Sequence, residues 1–172
     1  MDSATIVEFA EYHNDVLDSL KLYFSDVSPS FSSRFFGCSV AEIKFALAAR
    51  IEETDLRSAF FVLAALEAAF RIDYLYRCRK KERDPVSRAF RTIYKQREKN
   101  ASLDEDIFET WKEKSFAPGP RLIRELRGAF NFRHYLAHGR YWEPKLGRKY
   151  DFNFVYSLAD DVLNAFPLLK FD

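Results

Sequence analysis

Residues 120–139 read PRLIRELRGAFNFRHYLAHG, and the period of their apolar positions decides the class of fold. At about 100° per residue, Leu122, Leu126, Ala129, Phe130, Arg133 and Ala137 gather on one side of a helix. Arg124, Arg127, Asn131, His134 and His138 gather on another, linked by steps of three and four. This is the period of an amphipathic helix, not the alternation of a strand. Both ends are marked. "APGP" at 117–120 breaks the chain before it, and Gly139 stands where a C-terminal cap belongs.

The same punctuation divides the rest of the chain. From about Ile6 to Asp26 the apolar residues recur at helical spacing, and "SPS" at 28–30 ends the run. "SVAE" at 39–42 is a capping box that opens a helix through Arg50. Thr54 and Asp55 can start the next helix, which runs past Tyr76. "DP" at 84–85 supplies an N-cap followed by Pro at the first helical position, for a helix to about Lys99. "SLDE" at 102–105 is a second capping box, with its helix running to Lys114. After Pro144 and Gly147 a last helix covers about Asn153 to Phe166, and "KYDFNFVYSL" is the one stretch with the look of a short strand. The reading is an all-α bundle of six or seven helices in a single domain, residues 1–172.

Composition agrees. The 172 residues suit one domain with a proper core, and 18 Phe supply it. A net charge of +1 gives no global field for nucleic acid, so any such contact needs a local patch. Cys38 and Cys78 lie far apart without CxxC spacing, which reads as two structural thiols in a reducing compartment. The N-terminus carries acidic residues where a signal peptide has basic ones, and the longest apolar run, Ala59–Leu66, is too short for a bilayer. The expectation is a soluble cytoplasmic protein with no membrane contact.

Two charges stand out against this background. Arg133 occupies the apolar stripe and cannot shed its proton, so it needs an anion or an exit to water. Glu67 is the lone charge in "AFFVLAALEAAF", 59–70, and a buried carboxylate also needs a partner. One pairing sets Glu67 against Arg133. The other pairs Glu67 with Arg71 one turn on and lets Arg133 reach solvent. Position alone leaves both open. His134 and His138 lie on the basic ridge, about 140° from Arg133 in the case of His138.

These residues resemble a known family. "RHYLAH" at 133–138, an Arg-x4-His motif at the end of a late helix, with Glu67 in an earlier apolar helix, is similar to the HEPN superfamily. The resemblance covers most of the chain in helix order and is sharp at the motif. It implies an antiparallel helical bundle that dimerises to join two motifs in one composite cleft. Many such proteins are metal-independent endoribonucleases in toxin–antitoxin or phage-defence systems. Carried over, the catalytic arginine is Arg133, the histidine His138 and the supporting acid Glu67. His134 stands where many members have a small polar residue, and it joins the candidate catalytic set. Members silenced by adenylylation carry a tyrosine two residues after the histidine; here Arg140 holds that place and Tyr141 follows. A cognate antitoxin of nucleotidyltransferase type is the partner that such a toxin implies.

The chemistry suits the residues. RNA is cleaved when its 2′-hydroxyl attacks the adjacent phosphorus, leaving a 2′,3′-cyclic phosphate. Histidine can take or give the proton near neutrality, and arginine fits the charged phosphorane oxygens. No metal-ligand pattern, phosphate loop or nucleophile elbow is present, so neither metal nor cofactor is expected. Arg88, Arg91, Lys95 and Lys99 form a basic stripe that alone reads as a solvated face. Together with Arg124, Arg127, Arg140 and Tyr141 it reads as an RNA track. His13 is expected at the surface. Two other readings stand beside the nuclease: a non-enzymatic adaptor binding RNA, nucleotide or protein through the basic ridge, and a structural helical dimer.

Overall fold

The structure is a computed structural model that describes residues 5–115, 120–140 and 147–169. Seven α-helices occur among these residues, with no strand: α1 (Ile6–Tyr23), α2 (Phe31–Arg34), α3 (Val40–Lys80), α4 (Pro85–Arg97), α5 (Glu109–Lys114), α6 (Pro120–Ala137) and α7 (Phe152–Ala165). A 3₁₀ turn, Glu98–Asn100, and a π-helical turn, Leu103–Phe108, connect α4 to α5. None of the described helices is long and apolar enough to cross a membrane.

The organising element is α3, 41 residues and about 60 Å long. Ser39 opens it with the expected capping box. The expected restart at Thr54–Asp55 does not occur, and the reason is visible. The Thr54 hydroxyl donates back to the Arg50 carbonyl at 2.8 Å, and Asp55 turns toward His13. Neither side chain is left to cap a helix start, and no Gly or Pro interrupts the run. The buried residues of α3 begin only at Ser58, so its second half carries the core. Around that half pack α4, α6 and α7, while α1 lies along the helix as well. The aromatic centre is Phe70, edge-on to Phe108 and Phe166 with both ring centroids 5.0 Å away.

Two further expectations change. The candidate strand at 149–158 is mostly α7, because Asp151 caps it by accepting from the Phe154 N–H at 3.0 Å. At Ser102 the hydroxyl accepts from the Glu105 N–H as expected. The reciprocal carboxylate is Asp106, which accepts from the Ser102 N–H at 2.7 Å, instead of Glu105. The wider π turn brings residue i+4 to the place that i+3 holds in an α-helix.

Candidate functional site

On α6 the buried positions are Ile123, Leu126, Ala129 and Phe132, and Arg133 lies half-buried among them while Ala137 is exposed. The α3–α6 contact brings Arg133 to Glu67, Nη2 to Oε2 at 3.0 Å. Glu67 also accepts from Arg71 Nε at 2.7 Å through its other oxygen. Both pairings considered from the sequence therefore exist together, and one carboxylate bridges two guanidinium groups. Arg71 is held further by the Ala101 carbonyl. The Arg133 guanidinium lies 5.6 Å from the centre of the Phe60 ring, and its Nε is buried without a hydrogen-bond partner.

The helix ends where the histidines stand. His138 still donates its backbone N–H to His134, and then the chain turns left-handed at Gly139, φ +77°. Gly139 N–H bonds to the Leu136 carbonyl and Arg140 N–H to that of Tyr135. This is the paired bonding of a Schellman cap, which favours glycine because a β-carbon is strained at that φ. The ring centroids of His134 and His138 lie 4.2 Å apart with the planes tilted by 57°, and both residues are exposed.

The cap sends Arg140, also left-handed at φ +58°, back onto α3. There its guanidinium forks onto Glu53 at 2.8 and 3.4 Å, and Glu53 in turn accepts from Arg57 Nε at 3.0 Å. The Arg140 guanidinium, helped by Arg57, holds the Glu53 carboxyl below its usual range. Arg127 is similarly engaged, bonded to both Asp104 and Glu109. These two arginines of the expected RNA track thus carry their charge into intramolecular bridges. Arg124 on α6 is exposed, as are Arg88 and Lys95 on α4, whereas Arg91 donates to the Glu82 carbonyl. Because α4 packs on α3 and α5, and α6 on α3 and α7, the basic stripe and the motif stand on helices that are not close neighbours. Tyr141 lies outside the described residues.

Sequence reading missed two buried sites. His13 is buried, not at the surface. Its Nδ1 lies 3.0 Å from Ser58 Oγ, its Nε2 3.4 Å from Asp55 Oδ1, and its ring stacks on Phe152 at 3.7 Å. Burial pushes its pKa down, with Asp55 opposing. The second is the ion pair Asp73–Arg77, 2.7 Å apart and buried on both sides. Arg77 also reaches Ser87 and the Pro167 carbonyl, and Asp73 accepts from the Leu169 N–H. Opposite charges four apart in "RIDYLYR" were the available signal. Of the two cysteines, Cys78 is half-buried with its thiol pushed up to about 11 by burial, whereas Cys38 is exposed.

Among the described residues no three His, Cys, Asp or Glu side chains are grouped to hold a metal ion. Comparisons with family models, curated proteins and solved structures return no match.

Proposed function

We propose that this chain is a metal-independent endoribonuclease of HEPN type. Arg133 steadies the phosphorane, and His138 moves the proton, with His134 beside it. Glu67 orients Arg133. The observation that carries the reading is the Glu67–Arg133 ion pair on the helix whose capped end presents the two histidines. A guanidinium held by a carboxylate and imidazoles at the end of the same helix supply the charge and the proton transfer that cleavage through a 2′,3′-cyclic phosphate needs. The chain works as a homodimer, two motifs facing one RNA strand. Its setting is a toxin–antitoxin or phage-defence system with a nucleotidyltransferase-type antitoxin.

The test is incubation of purified dimer with RNA in EDTA. The expected products carry cyclic-phosphate ends, and His138→Ala abolishes them while leaving the helical circular dichroism intact. RNA binding that survives without cleavage in the wild type would instead mark the chain as an adaptor. No cleavage of any RNA by a verified dimer would overturn the nuclease reading.

A further inference from the structure

Beside the motif, α3 and the end of α6 enclose a groove of about 490 Å³. Leu56, Phe60 and Leu136 give it apolar walls, and Ala137, the residue before His138, also lines it. Phe61 lines it with 54% of its surface exposed. Phe9 stacks near-parallel to that ring with centroids 6.0 Å apart, and Phe60 meets it edge-on at 5.9 Å. The rim is the Arg57–Glu53–Arg140 bridge. Phe60 is shared: it lines the groove and also lies under the Arg133 guanidinium. The groove therefore adjoins the groups assigned to the scissile phosphate.

We infer that this groove seats one unpaired nucleobase of the RNA, stacked on Phe61 and met at its edge by the guanidinium groups of Arg57 and Arg140. The inference rests on the ribonuclease reading and adds a specificity subsite to it. A flat, exposed aromatic ring beside cationic groups is what an unstacked base requires. Of the charged residues that line the groove, Arg57 and Arg140 outnumber Glu53, which suits the attached phosphates. A purely hydrophobic guest would gain nothing from that rim. Glu53 already accepts from both rim arginines, so the donors left over at the rim are guanidinium N–H groups. They match the acceptors of guanine (O6, N7) or uracil (O4, O2) and oppose the amine that adenine presents.

The experiment uses the full chain and a set of RNA oligonucleotides that differ at one base beside the cleaved bond, with NMR titrations of guanosine and adenosine monophosphate as a second arm. Phe61→Ala is expected to raise KM about tenfold with kcat changed by less than about twofold. Phe61→Trp restores the lower KM, and Arg57→Gln flattens the preference for guanine or uracil over adenine. In the titration, guanosine monophosphate shifts Phe61 and Arg57 signals more than adenosine monophosphate does. If the wild type cleaves RNA but Phe61→Ala keeps both KM and base preference, the subsite is wrong and the nuclease reading stands. If nothing is cleaved yet guanosine monophosphate binds and Phe61→Ala abolishes binding, the subsite holds and the nuclease reading fails. A wild type whose Phe61 and Arg57 signals respond to neither nucleotide overturns the subsite.

Discussion

Glu67 is the residue on which the motif's geometry depends, since its two oxygens serve two arginines. Replacing it with alanine leaves Arg133, half-buried and with an unsatisfied Nε, without its anion. Because both arginines keep some contact with water, the loss of stability is modest, about 1–2 kcal/mol. On the proposed ribonuclease reading, the loss of RNA cleavage is expected to be much larger, since Arg133 then loses the carboxylate that positions it. Urea denaturation and a cleavage assay on the same preparation separate the two effects; equal cleavage by Glu67→Ala would remove the residue from the mechanism. His13 gives a second prediction at this scale. Its folded pKa lies below the unfolded value of about 6.5, so the unfolded chain binds the extra proton first on acidification. The stabilisation is fully present above about pH 6.5 and is lost as pH falls through the lowered folded pKa. Asp55 faces the ring, and burial raises its pKa, which acts with the opposite sign. Urea midpoints taken at pH 8 and pH 5.5 should fall for the wild type and fall less for His13→Gln. Parallel falls in both proteins would place the titration elsewhere.

At the scale of elements, most of the helices were legible because their ends are written in side chains: Ser39 with Glu42, Asp84 before Pro85, and Gly139 past α6. What was not legible was whether a capping-competent residue actually caps. Thr54 and Asp55 have the right chemistry for a helix start, but one bonds back to its own helix and the other faces His13. The second of these contacts is with α1, which lies far away in sequence. The α6 helix carries a similar long-range decision at Gly128, where an added β-carbon would run into the Tyr150 hydroxyl. In an exposed helix, Gly→Ala stabilises by about 1 kcal/mol. Here Tyr150 is buried and stacked on Phe132, so its ring has little room to move. Gly128→Ala is therefore expected to lower Tm, and adding Tyr150→Phe to recover part of the loss. A Gly128→Ala variant more stable than wild type would show that the loop bearing Tyr150 yields.

Over the whole molecule, the sequence pattern predicts the helices better than it predicts how their charges meet. Glu67 was conspicuous because its neighbours are apolar, so its pairing with Arg133 could be anticipated. Asp73 and Arg77 were hidden by the basic run that follows them, although they are buried more deeply. Their role is also long-range: Arg77 bonds the Pro167 carbonyl and Asp73 the Leu169 N–H, so the pair fastens the segment after α7 to the central helix. Phe166, beside that segment, packs edge-on against Phe70 and Trp111 and so links the fastening to the core. A buried pair of this kind adds little net stability over an apolar replacement, but breaking it strands a charge. Arg77→Met leaves the Asp73 carboxylate, already short of one partner at Oδ2, uncompensated in the core. The expected cost is about 3–5 kcal/mol, together with faster amide exchange at Leu169. Adding Asp73→Asn removes the stranded charge while keeping an acceptor for the Leu169 N–H, so the double variant should be more stable than Arg77→Met alone. A double variant no more stable than Arg77→Met would mean that Arg77 acts through Ser87, Asp84 and its packing over Trp111, not through its charge on Asp73.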